Sequence, residues 1–345
     1  MTEKTSRGDF FAIDARTWHK ACSIGMNPAV AYLVMARGTG GDQITTSWSV
    51  KAIEKYTNIS RPLAKTAIQA LATKGLIDVL RDGKRPQYRL RPWSEFSDQN
   101  GAAHANGTEP PVPHWIWLPN ALIDGVPGNA GAPVELIRQT QKIEALRLLV
   151  DLYKVHDLAA FGGVHWRILR KDFERQHLGD WNENSVWGFK PRAERFILEN
   201  DFFAVFTAGR SRADGMSAIW DAFDVLQDFG FFEFVPHLIE ADNEEASIIH
   251  PFGWGAGEPA ERRLAVATHK VGRTAKGISQ PTGGMLVLAK KHMQDIAMVG
   301  VLRLLYKPHT QATAVWISRM AEWDALAADR EREAGSRLIG RSRAA

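Results

Sequence analysis

The stretch Ser49 to Arg91, SVKAIEKYTNISRPLAKTAIQALATKGLIDVLRDGKRPQYRLR, constrains the fold of this chain more than any other segment. Ser49 is placed to cap a first helix, whose apolar positions Val50, Ile53 and Tyr56 recur at helical spacing. Thr57, Asn58 and Ile59 make a turn, with Ile59 as an apolar plug between two helices. Ser60 is placed to cap the second helix, and Pro62 falls in its first turn, where a missing N–H costs nothing. Leu63, Ala64, Ala67, Ile68 and Leu71 form the stripe to be buried, which leaves Arg61, Lys65, Thr66, Gln69 and Thr73 facing outward. Gly75 stands where a helix end favours a left-handed residue. Leu76 to Leu80 has strand character, Asp82-Gly83 signals a hairpin, and Gln87 to Arg91 returns as its second strand. The hairpin tip presents Arg81, Lys84 and Arg85.

Capped helix, short turn, capped helix, glycine stop and basic hairpin, in that order, resemble the winged helix-turn-helix superfamily. The run IEKYTNISRPLAKTAIQALATKGLI is similar to the reader half of GntR- and MarR-type regulators, and to winged modules of phage and plasmid replication proteins. The resemblance implies that the helix at 61–74 enters the major groove of duplex DNA. The wing at 77–91 would follow the backbone or the minor groove. Arg61, Lys65, Thr66 and Gln69 then become base readers, since Arg and Lys suit guanine edges and Gln suits adenine. Lys51, Lys55, Lys74, Arg81, Lys84 and Arg85 would mostly meet phosphates, which position a protein without specifying sequence. The implied role is a sequence-specific double-stranded DNA-binding protein acting as a transcription regulator, as a homodimer on a two-half site. The alternatives are a phage or plasmid replication initiator binding origin repeats, and a protein-interaction module.

The net charge of +4 conceals a pattern: residues 1–100 carry +6, residues 101–257 carry −9, and residues 258–345 carry +7. Basic ends suit nucleic acid, and the acidic middle suits a protein partner. The first domain is expected over 1–93, with a polar, Gly- and Pro-bearing linker at 94–113. Beyond it the pattern recurs: AIQALATKGLIDVL at 67–80 aligns without gaps on AFDVLQDFGFFEFV at 222–235. That likeness predicts a second, degenerate, acidic winged-helix-like domain over 114–257, expanded by a long helix from Val134 to Leu158 and by the segment around 176–217. Asp221, Asp224 and Asp228 replace the cationic outer positions of the first copy, so duplex phosphates would repel this helix. Residues 258–345 read as a basic helical C-terminal region. A long helix from Thr310 to Glu333 would put Val315, Ile317, Met320, Trp323 and Leu326 on one packing or oligomerisation side, ahead of a disordered tail from Arg337. The expected fold class is therefore α+β, mainly α, with tandem winged-helix modules and a helical C-terminal region.

One cysteine, Cys22, excludes a disulfide framework and fits a reducing cytoplasm, with nucleoid association for a DNA binder. The most apolar run, Ile296 to Leu302, is far too short to span a membrane, and no membrane partner is expected. No GxxxxGK[ST], HExxH or GxSxG sequence occurs. Gly38-Thr-Gly-Gly41 and the glycines of 252–257 lack the strand-to-helix setting of a dinucleotide site, and turns explain them. Asp151, His156 and His165 are near in sequence without ligand spacing. The reading is of a protein that is not an enzyme, with no cofactor and no metal.

Overall fold

A computed structural model describes residues 9–95, 113–129, 131–197, 210–240, 246–278, 283–293 and 295–342. The chain divides into two compact units, each assembled from separated stretches: Met1–Val155 with Val205–Phe231 and Tyr306–Thr310, and His156–Ala204 with Phe232–Leu305 and Gln311–Ala345.

In the first unit, β1 (Phe10–Asp14) runs into α1 (Ala15–Ile24) and α2 (Met26–Arg37). Asp14 caps α1, accepting from the Arg16 and Thr17 amides at 3.0 Å each, and is 2 % exposed. Nine of the twelve α2 residues are buried, so this helix forms the centre of the unit. The chain continues through β2 (Thr45–Thr46), α3 (Val50–Thr57), α4 (Arg61–Thr73), β3 (Ile77–Arg81) and β4 (Gln87–Leu90), with the strands in the antiparallel order β2-β4-β3. Next, β5 (Trp115–Pro119) pairs with β1, and Asp14 lies opposite Trp115 and accepts the His114 amide at 3.2 Å. The helices Ala121–Asp124, Pro133–Thr140, Ile143–Val155 and Arg212–Asp228 complete the unit.

The second unit is built on one six-stranded antiparallel sheet. Its strands are β8 (Leu169–Trp181), β9 (Asn184–Ile197), β10 (Phe232–Ile239), β11 (Ile248–Pro251), β12 (Met285–Lys290) and β13 (Ala297–Leu304), in the order β11-β10-β13-β8-β9-β12; the short β6 (His156–Asp157) and β7 (Gly163–Val164) pair separately. Register shifts between Lys171 and Phe173 and between His177 and Gly179 interrupt the long β8–β9 hairpin, and such bulges bend a sheet. All eight residues of β13 are buried. The helix Pro259–Lys276 crosses the sheet with Gly272 against β12, where a Cβ would come within 2.8 Å of the Leu286 Cβ.

A fully buried ion pair links that helix to the sheet. Arg303 Nη1 lies 2.6 Å from Glu261 Oε2, Arg303 Nε donates to the Gly162 carbonyl at 2.8 Å, and the guanidinium sits 4.8 Å over the Trp316 ring. Glu261 also accepts the Glu258 amide at 2.8 Å, so one carboxylate caps its helix and neutralises the sheet's arginine. Beside them, burial and then the Arg303 charge push the His237 imidazole down to about 3.

These observations correct the expected fold class. With 48% helix, 26% strand and a curled six-stranded antiparallel sheet, the protein is not a mainly-α chain of tandem winged modules. Residues 176–197, taken as an insertion, belong to the central β8–β9 hairpin. The helix expected from Val134 to Leu158 is two helices separated at Gln141, whose φ of 58° is left-handed. The strand after Gly230 makes no wing: it pairs with β11 and β13. Within 258–345, β12 and β13 interrupt the helices. The C-terminal helix is split into Gln311–Ser318 and Met320–Ser342, so helix extends past Arg337 where a disordered tail was expected. Val315 and Ile317 are exposed, while Trp316, Trp323 and Ala327 pack against Ala260 and Leu264. Most of the expected linker lies outside the described residues, and its flanks join one unit through the β1–β5 pair. No helix among the described residues is long and apolar enough to cross a membrane.

Removing the Asp14 carboxylate orphans three backbone amides. Asp14→Ala is expected to cost about 1–3 kcal/mol, read from urea unfolding. In the second unit, Arg303→Met leaves a buried carboxylate unpaired and is expected to cost about 3–5 kcal/mol; adding Glu261→Leu should return much of that loss. A double variant no more stable than Arg303→Met would show that the pair's charges are not the source.

Candidate functional site

The segment from Thr45 to Leu90 builds a cationic concave surface. Ile53, Ile59, Ala64, Ala67, Leu71 and Leu76 are buried and seat α3 and α4. The small residues Ala64 and Ala67 let α4 approach closely, and Leu63, expected in the buried stripe, is left 52 % exposed at its flank. Asn58 makes the turn between the helices at φ 54°, and Gly75 ends α4 at φ 69°. Ser49 and Ser60 occupy the cap positions, but neither side chain bonds to its helix. Between β3 and β4 the register shifts from Val79 to Arg81, which turns the hairpin tip away from regular pairing.

Two adjoining clefts result. The outer face of α4 and the hairpin bound one of about 490 Å³. Lys51, Arg61, Lys65, Lys84 and Gln69 line it, together with the carboxylate of Asp82, over an apolar floor that includes Ile68, Ala72, Val79 and Tyr88. Burial, and then the charge of Asp82, raise the Tyr88 phenol above its ordinary range, so it stays a neutral hydroxyl. A second cleft of about 540 Å³ lies between α3 and the hairpin tip. Its lining holds five cations, Lys51, Lys55, Arg81, Lys84 and Arg85, no carboxylate, and the rings of Trp48 and Tyr56. Ser49, Lys51, Lys84 and Pro86 line both clefts, making one continuous wall.

The residues singled out in the sequence are not all equivalent. Lys65 and Gln69 are exposed on the α4 face toward the first cleft. Arg61 reaches it too, but its Nε is 2.8 Å from Glu54 Oε2, and that bond and charge hold the guanidinium more firmly protonated. Thr66 lines neither cleft, and its hydroxyl donates to the Pro62 carbonyl at 3.0 Å. Lys74, at the end of α4, also lies outside both. Arg81 Nε donates to the Arg85 carbonyl at 2.7 Å and so helps to close the hairpin tip.

Trp48 was not among the residues singled out in the sequence, and Tyr56 stood there only as an apolar position of the first helix. Their rings stack at 4.8 Å with an 8° interplanar angle. Arg37 lies 5.5 Å from the centre of the Trp48 ring, and Lys55 Nζ 4.7 Å from that of Tyr56. Trp48 precedes the cap of α3, so helical period carried no signal for this pair. Comparison with protein-family models, with curated proteins and with solved structures finds no match to this chain.

A Cβ built at Gly38 would overlap the Trp48 ring and its Cβ, so a glycine there lets the indole lie flat. Gly38→Ala is expected to displace Trp48, weaken the near-ultraviolet circular dichroism of the stack, and cost about 1–3 kcal/mol in stability. An unchanged spectrum would mean that the indole is not held this way.

Proposed function

We propose that this chain is a sequence-specific duplex-DNA-binding protein acting as a transcription regulator, and that residues 45–91 serve it as a winged helix-turn-helix. The observation that carries this reading is the first cleft, cationic and bounded on one side by a regular helix and on the other by a hairpin. At 1.5 Å per residue, α4 is about 20 Å long, and a B-DNA major groove about 12 Å wide accepts such a helix. One DNA strand separates the major from the minor groove. With α4 in the major groove and the hairpin at the minor groove, that strand would run through the cleft. Lys51 and Lys84 are then phosphate contacts, and Lys65 and Gln69 reach base edges. Arg61, tied to Glu54, gives up that ion pair to reach a base, or stays beside the backbone.

The second reading is a replication initiator. The acid-free aromatic cleft favours it, because opening an origin exposes unpaired bases. Location of the bound sites separates the two: a palindrome overlapping a promoter for a regulator, direct repeats beside an AT-rich tract for an initiator.

Selection from a random duplex library, followed by titration at rising salt, tests the reading. Lys84→Ala is expected to weaken binding evenly across sequences and to lower the salt slope by about 1. Lys65→Ala and Gln69→Ala should instead relax preference at single base positions by about 1–3 kcal/mol. Failure to enrich any sequence, or unchanged affinity in all three variants, would remove this face as the reader.

A further inference from the structure

We propose that the second cleft, between α3 and the hairpin tip, holds single-stranded nucleic acid, with an unpaired base stacked on Tyr56. This goes beyond duplex reading and can hold without it. Three observations carry it. The first is charge: five cations and no carboxylate line the cleft, whereas the first cleft contains Asp82. A ligand that satisfies them must bear several negative charges, as consecutive phosphates do.

The second is the aromatic platform. Trp48 lies against Gly38 and stacks on Tyr56 with nearly parallel rings, so the Tyr56 ring is supported from behind. Lys55 Nζ stands 4.7 Å from the Tyr56 ring centre and is carried on an exposed, flexible side chain. A planar base can take its place while the ammonium moves to an adjacent phosphate. Cationic grooves with supported aromatic rings bind single strands, because every base offers a π-face once it is unpaired. Bases inside a duplex are stacked on one another and cannot offer that face to a side chain.

The third is continuity. Ser49, Lys51, Lys84 and Pro86 belong to both clefts, so a chain of phosphates can run from one into the other. A polymer uses this wall; a lone nucleotide uses one end of it.

The test is fluorescence anisotropy on the full chain with labelled oligothymidine of about 15 nucleotides, an equal duplex, and ATP as competitor. Tyr56→Leu is expected to weaken oligothymidine binding by about fivefold or more while Tyr56→Phe preserves it. Duplex affinity should stay the same in all three proteins, because Tyr56 is outside the duplex-reading face. The proposal is overturned if oligothymidine does not bind, if Tyr56→Leu leaves it unchanged or lowers duplex binding equally, or if ATP competes as well as the oligonucleotide. Should Tyr56→Leu unfold, crosslinking of wild type to a 5-bromodeoxyuridine strand decides. A product on the peptide carrying Trp48 or Tyr56 supports the site, and products only elsewhere overturn it. Absence of duplex binding alone would count against the DNA-reading face and leave this cleft standing.

Discussion

The unit that carries both clefts depends on a buried carboxylate. Asp14 accepts the Arg16 and Thr17 amides through one oxygen and the His114 amide through the other, so it fixes the start of α1 and the entry to β5 together. Thr17 extends the link, since its hydroxyl lies 3.3 Å from Asp14 and 3.1 Å from the Arg91 carbonyl at the end of the hairpin. Burial and the Asp14 charge push the Tyr32 phenol on α2 up, which keeps it neutral in the core. The surface helices and hairpin can therefore carry many like charges. Their cohesion draws on apolar contacts with α2 and on this hydrogen-bonded node behind them.

Local structure was legible in the sequence wherever a short-range rule governs it. The helices of 50–73, the turn at Asn58, the stop at Gly75 and both hairpin strands fall where spacing and turn chemistry put them. The apparent repeat shows the limit of such rules. In both copies the glycine is left-handed and the next amide reaches back into the last helical turn: Leu76 N to Leu71 O and Phe231 N to Leu226 O, each 2.9 Å. This is a shared helix stop, satisfying otherwise open carbonyls. It explains the matching Ala, Leu and Gly without any duplicated module. Beyond the stop, the path of the chain is decided by partners far away in sequence, and β10 finds Ala297–Leu304. No local pattern encodes that pairing.

The candidate surface was legible by the same measure. Helical period put Lys65 and Gln69 outward, and composition marked the hairpin tip as basic. Period alone could not show that Arg61 would meet Glu54, because that bond spans the turn between two helices. Nor could it show that the Thr66 hydroxyl would turn back to Pro62, or that Trp48 and Tyr56 would meet across the start of α3. The Thr66 bond is a rotamer choice within α4, whereas the other two depend on the angle at which neighbouring elements pack. That angle depends on small residues such as Ala64 and Gly38, which matter because they lack bulk.

Charge placement distinguishes two clefts that a tally of basic residues would merge. In the first cleft Asp82 lies among the cations, and Glu54 offsets Arg61, so the field is reduced and side-chain geometry has more influence on what binds. No carboxylate lines the second cleft beside its five cations, so a phosphate chain there would be attracted by charge without regard to sequence. The balance is asymmetric along one wall, with Lys51 and Lys84 common to both ends. On the proposed reading, discrimination belongs to the α4 end, where Asp82 and Glu54 offset part of the charge, and unselective grip to the Tyr56 end.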